Sequence, residues 1–292
     1  MTFNWPVFKT RTLTAILFAA VMLTGLLWNH WSFLVLFSVI HFGCWWEYLK
    51  LTEKIHQTSF HIYTKLGLMV MGYGLMLWFC GSVYQINNYG FRENLSLPVS
   101  AAGFALLLIG IFQKNGISLR GFLMALGGLV YISLCSGLMM DLKSAETSFD
   151  FHTHDTVFVP PAIVVSIWLN DTLAYITGSL IGKTPLSKIS PKKTWEGTIG
   201  GILLSVITAT FAFPAIYNHH LYKPMMILSG SIALIASVTG TIGDLFESKL
   251  KRIAGVKDSG RIMPGHGGFL DRFDSMLFAI PAVWLYLQIA MR

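Results

Sequence analysis

Long apolar runs occupy most of this chain and leave few folds open to it. They cover positions 12–28, 31–49, 66–84, 95–112, 121–140, 157–181, 197–217, 224–246 and 273–290. A helix needs about 20 apolar residues to cross the roughly 30 Å hydrocarbon core of a bilayer. Lipid cannot hydrogen-bond an irregular backbone, so runs of this length read as membrane helices. Composition points the same way, because 54% hydrophobic and 12% charged residues, with a mean hydropathy of +0.60, give too little polar surface to coat a soluble globule. The expectation is an all-α polytopic membrane protein with about nine transmembrane helices. No internal repeat or low-complexity tract interrupts the runs, so residues 1–292 are expected to form a single membrane-embedded domain.

The basic residues give an orientation. Short cytoplasmic loops carry the excess of Lys and Arg. With the N-terminus inside, alternate segments place 17 of the 21 basic residues on the cytoplasmic side and leave only Arg92, Lys143, Lys223 and Arg292 outside. That split predicts a cytoplasmic N-terminus and an external C-terminus. Lys9 and Arg11 ahead of the first run resemble the start of a signal peptide, but a second run follows at once, so the first is read as a retained span.

Net charge and cysteines narrow the class further. A formal charge of +7 suits anionic lipid or a phosphorylated substrate. Nucleic acid is not expected, since no soluble domain is present to carry a basic face. Cys44, Cys80 and Cys135 stand singly in apolar stretches without CxxC spacing, and read as small core residues. His152 with His154, and His219 with His220, have no apparent third metal ligand. Glu47, between Trp45, Trp46 and Tyr48, falls where an aromatic belt lies, and interfacial anchoring is its expected role.

Polar residues concentrate in two segments, both cytoplasmic in this topology. Positions 182–197 read GKTPLSKISPKKTWEG, and positions 243–274 read GDLFESKLKRIAGVKDSGRIMPGHGGFLDRFD. Together they hold 10 of the 21 basic and 6 of the 14 acidic residues, the acids being Glu196, Asp244, Glu247, Asp258, Asp271 and Asp274. Asp244 and Glu247 are three apart at the end of an apolar helix, and Asp271 and Asp274 repeat the spacing at the start of the next, so each pair shares a helix face. Carboxylates at membrane depth usually face a cavity with a partner. Magnesium takes oxygen ligands, with one or two carboxylates completed by substrate phosphates and water. Structural salt bridges to Arg252, Arg272 or the lysines are the alternative. Lys183, Lys192 and Lys193 suit phosphate as compact point charges, or anionic lipid headgroups as any cytoplasmic loop does. Asp171, well inside the sixth run beside Asn170, needs a cavity or a basic partner. Glycines in the PGHGG turn let backbone amides approach a phosphate closely, and His266 can hydrogen-bond phosphate or move a proton. Gly197, Gly200 and Gly201 read as close helix packing.

The second segment resembles the defining motif of the phosphatidate cytidylyltransferase family, also called CDP-diglyceride synthases. Ser248, Lys251, Arg252, Lys257, Asp258, Gly260, Pro264, His266, Gly267, Gly268, Asp271, Arg272 and Asp274 occupy its places, with Met263 standing where the family usually has Leu, Ile or Phe. The stretch 168–201, with Asn170, Asp171, Ala174, Tyr175, Gly178, Gly182, Lys183 and the SPKKTWEG run, is similar to the family's other polar segment.

The resemblance implies a magnesium-dependent inner-membrane enzyme, homodimeric, with its active site on the cytoplasmic side. It implies that CTP and phosphatidate give CDP-diacylglycerol and pyrophosphate for phospholipid biosynthesis. By the same analogy Asp244 and Asp271 are the metal ligands, with the number of ions and an additional monovalent cation left open. Catalytic roles extend to Lys251, Arg252 and His266. Substrate contacts fall to Asp171, Lys183, Ser190, Lys192, Lys193, Glu196, Ser248, Lys257, Asp258, Gly267, Gly268, Arg272 and Asp274. A CTP-using kinase of polyprenols or related alcohols is the nearest rival, and a secondary transporter is the rival from another class.

Overall fold

The computed structural model describes residues 5–113, 118–144, 159–217, 223–260 and 267–290. They form helices α1 (Trp5–Leu27), α2 (His30–His56), α3 (Ile62–Trp78), α4 (Phe91–Asn94), α5 (Ser96–Ile111), α6 (Leu119–Gly128), α7 (Cys135–Ser144), α8 (Val159–Ile181), α9 (Trp195–Tyr217), α10 (Lys223–Ile253) and α11 (Leu270–Ala290). A π-helical segment, Leu129–Leu134, joins α6 to α7. The strands among the described residues are the two-residue pair Gln85–Ile86 and Tyr89–Gly90, turned through Asn87 and Asn88 at positive φ. Asn tolerates that left-handed conformation better than most residues.

Each apolar run of the sequence meets a helix. Among the described residues, seven helices are long and apolar enough to cross a membrane: His30–His56, Phe91–Ile111, Leu119–Ser144, Val159–Ile181, Trp195–Ile216, Lys223–Ile253 and Leu270–Ala290. The apolar part of α1, Thr12–Leu27, and the 17-residue α3 are shorter. The protein is thus an all-α, multi-pass membrane protein. Many large apolar side chains stay exposed along these helices, among them Leu13, Val35, Leu97, Leu180 and Leu203, as expected where lipid replaces water as the solvent.

The chain gathers into two compact units. The first comprises Met1–Met140 and Leu250–Phe273. In it α2 begins at a capping box, where Asn29 Oδ1 accepts from the Ser32 N–H at 2.8 Å and Ser32 Oγ accepts from the Asn29 N–H at 3.1 Å. Helix α2 buries Phe33, Phe37, Ile40, Trp45 and Leu49 completely or nearly so. Helices α3 and α5 pack closely because Gly67 and Gly103 face one another's helices; a Cβ on Gly67 would stand 2.7 Å from the Leu107 Cα, and one on Gly103 2.7 Å from the Met71 Cα. Ser133, on the π-helical segment, accepts from the Trp45 indole N–H at 2.8 Å and lies 3.0 Å from His41 Nε2.

The second unit comprises Asp141–Lys249 and Asp274–Arg292. Its centre is the α8 and α9 pair. A Cβ on Gly201 would lie 2.6 Å from the Ala174 Cβ and 2.8 Å from the Asn170 carbonyl oxygen, and one on Gly197 2.8 Å from the Gly178 Cα. The close-packing reading of these glycines holds. The buried Ser205 hydroxyl donates to the Ser166 carbonyl at 3.1 Å, and Ser237 donates to Ser205 at 3.3 Å, tying α8, α9 and α10 together. Trp284 of α11 donates its indole N–H to Asp141 at 2.7 Å.

Candidate active site

In the second unit, the sequence 168–201 builds a cavity of about 410 Å³ lined by Asn170, Asp171, Ala174, Tyr175, Gly178 and Ser179 of α8, Lys192 to Thr194 of the loop, Thr198 of α9, and Thr241 and Asp244 of α10. Asp171 therefore has the cavity that its position inside an apolar run demands. Lys193 Nζ stands 2.7 Å from Asp244 Oδ2, in an ion pair whose geometry falls short of a hydrogen bond. Both side chains remain about one-third exposed, at 33% and 29%, so a phosphate and a cation can compete for them.

The loop that delivers Lys192 and Lys193 is held by its own backbone. Leu186 N–H donates to the Lys193 carbonyl at 2.7 Å, Trp195 N–H to the Thr184 carbonyl at 2.9 Å, and Lys193 N–H to the Ser190 carbonyl at 3.1 Å. Glu196, in the first turn of α9, accepts from the backbone N–H groups of Lys183 and Thr184, each at 3.1 Å to Oε2. Lys183, Ser190 and Glu196 do not line the cavity. Glu196 closes the loop, and Ser190 sits in its turn.

In the first unit, Asp271 opens α11 and bridges both sides of the motif. Lys251 Nζ donates to its Oδ1 at 2.5 Å. Its Oδ2 accepts from the Ser259 N–H at 2.9 Å and the Gly268 N–H at 2.8 Å, and the Ser259 hydroxyl oxygen lies 3.0 Å from it. Gly267 has φ +87, and a Cβ there would come within 2.7 Å of Asp271 Oδ2, so this turn requires glycine. Arg252, Lys257, Asp258 and Arg272 are exposed, and Ser248 is half-buried on α10. Asp274, in the second unit, is buried and accepts from the Ser275 N–H at 2.7 Å. His266 lies outside the described residues, as do the histidine pairs at 152 and 154 and at 219 and 220.

Glu47 departs from its expected role. It is 2% exposed, so it is no interfacial anchor. Its Oε2 accepts from the Ser259 hydroxyl at 2.6 Å and the Leu270 N–H at 2.9 Å. Ser259 likewise escaped sequence reasoning. The available signal was an acid inside an apolar helix, which marks a functional candidate by cost alone; the flanking aromatics masked it.

Magnesium fits this chemistry in one form. Among the described residues, no three His, Cys, Asp or Glu side chains gather as a cage. Of the two expected ligands only Asp244 lines the cavity, with the Asp171 carboxylate and two lysines, and one or two carboxylates can hold such an ion when substrate phosphates and water complete its ligands.

These features define a polytopic helical membrane protein with a cavity that gathers two lysines and two aspartates. The chain belongs to the cytidylyltransferase family, whose model matches residues 9–290. It is 34% identical to a phosphatidate cytidylyltransferase of Staphylococcus saprophyticus, over 96% of this chain and 98% of that one. It is 33% identical to phosphatidate cytidylyltransferases of Haemophilus influenzae, over 94% and 96% of the two chains, and of Bacillus subtilis, over 96% and 98%.

Proposed function

We propose that this enzyme transfers the cytidylyl group of CTP to phosphatidate, forming CDP-diacylglycerol and pyrophosphate. The full-length likeness to enzymes of that name carries the reading, and the lysine and carboxylate cavity supports it. An oxygen of the lipid phosphate attacks the α-phosphorus of CTP, the bond from that phosphorus to the bridging oxygen breaks, and pyrophosphate leaves. A phosphate monoester is already anionic at neutral pH, so the chain needs no strong base; positioning and charge compensation dominate.

Lys192 and Lys193 offset the negative charge that grows as pyrophosphate departs. Asn170, Thr194, Thr198 and Thr241 supply neutral donors and acceptors around the same cavity. Asp244 and Asp271 are proposed as magnesium ligands on the strength of the family resemblance, and the ion would supply positive charge to offset that of the substrate phosphates. At Asp271 such a role requires Lys251 to yield its place at Oδ1. The charge split supports a cytoplasmic active site in a cell inner membrane, and a homodimer follows the family resemblance. Purified protein given CTP, phosphatidate and magnesium should form CDP-lipid and pyrophosphate in equal amounts. CDP with a phosphorylated alcohol would instead indicate a kinase, and solute uptake without CTP turnover a transporter.

A further inference from the structure

Two carboxyl groups hold the flanks of the motif segment in the first unit, and only Asp271 is conspicuous from the sequence. The other is Glu47, on α2. The Ser259 hydroxyl and the Leu270 N–H, its donors among the described residues, stand on opposite sides of positions 261–266 in the sequence. The backbone is shaped to receive it: a Cβ on Gly260 would lie 2.6 Å from the Glu47 Cδ, and one on Gly268 2.5 Å from the same atom. One turn earlier, a Cβ on Gly43 would lie 2.6 Å from the Phe269 ring. Gly43 and Glu47, at i and i+4, thus present one face of α2 to the motif. Ser259 passes the constraint on, because its N–H donates to Asp271 Oδ2 and its hydroxyl oxygen, whose proton goes to Glu47, accepts from the Asp271 N–H. A carboxyl group buried this deeply is costly to keep, and among the described residues Glu47 Oε1 has no hydrogen-bond partner.

We propose that Glu47 is a positioning residue: through Ser259 and the Leu270 N–H it holds both flanks of the motif segment and thereby sets the Asp271 carboxylate. Its burial keeps it from substrate. What it supplies is an acceptor oxygen at one point, and a misplacement of about 1 Å near a reacting centre can cost on the order of a hundredfold in rate.

The activity arm of the test rests on the cytidylyl-transfer reading; a second arm, amide hydrogen exchange at positions 256–260 and 267–272, does not. Glu47→Gln keeps an acceptor, whereas Glu47→Leu fills similar volume without one. The Gln variant should keep kcat within about threefold, and the Leu variant should lose roughly ten- to a hundredfold with KM for CTP nearly unchanged. Amides of Ser259, Gly268 and Leu270 should exchange about tenfold faster in the Leu variant and at the wild-type rate in the Gln variant. Ser259→Ala keeps its N–H bond to Asp271 and should lose kcat in the same direction by a smaller factor, which decides the matter if the Leu variant does not fold. Normal kcat with unchanged exchange in the Leu variant overturns the proposal, and so do equal losses in Gln and Leu, which would place the role in charge. Absence of CDP-lipid from the wild type would sink the reaction reading, while the exchange comparison still judges Glu47.

Discussion

The two units each contain a lysine and aspartate pair, and the pairs are built differently. Lys193 and Asp244 are 33% and 29% exposed and face an open cavity, with one ion-pair contact between them. Lys251 and Asp271 are 14% and 10% exposed, and Asp271 also accepts from Ser259 and Gly268. An exposed pair contributes about 0–1 kcal/mol to stability, whereas breaking a buried one costs about 3–5 kcal/mol. The lesson is that equal motif residues carry unequal structural duties: the first pair can exchange partners readily, while the second holds the motif together before any chemistry occurs.

The largest expected effect is at Asp271. Asp271→Asn should lower turnover on the order of a hundredfold or more and also lower the melting temperature clearly, because Lys251 loses its charge partner; turnover per folded molecule and a melting curve measure both. Asp244→Asn should lose about a hundredfold in turnover with little change in melting temperature. A large drop in stability there, with normal turnover per folded molecule, would erase the contrast between the pairs. Lys193→Met should reduce turnover about tenfold while lowering the magnesium concentration needed, since Asp244 is released from its competitor; a magnesium titration reads this directly. The smallest effect on turnover is expected at Gly201→Ala, where the added Cβ meets α8 and should cost about 1–3 kcal/mol of stability with turnover per folded molecule largely kept.

Much of this was legible in the sequence because its causes are local or periodic. Apolar runs read directly as helices, and the small residues at 197 and 201 read as a close helix contact. Asp171 read as a residue needing either a cavity or a basic partner, because an isolated acid at that depth is costly, and it lines a cavity. What was not legible depends on contacts between distant residues. Glu47 meets Ser259 and Leu270 across more than 200 positions, and nothing in the spacing of either segment reveals the meeting. Glu196 came in as a substrate contact through the family resemblance; its hydrogen bonds from the N–H groups of Lys183 and Thr184 become visible only once the loop has closed. Among the described residues seven helices are long and apolar enough to cross a membrane where nine runs could be counted, because hydropathy marks where a helix is apolar and not how far it extends.

The π-helical turn at Leu129–Leu134 bears on which insertions and deletions this chain can accept. Such a turn holds one residue more than the α-helix around it, and each residue in a helix advances the side chains by about 100°. Deleting a single residue there would let the turn relax to an α-helix with the helix on either side close to its present register, whereas a deletion within α6 or α7 has no extra residue to absorb it and would rotate everything beyond it by about 100°. Gly128 would keep its place against the Trp45 ring, and Ser133, which serves both Trp45 and His41, is the residue of the turn that such a deletion must spare. Single-residue length variation in this helix should therefore be tolerated at positions 129–132 and not in α6 or α7.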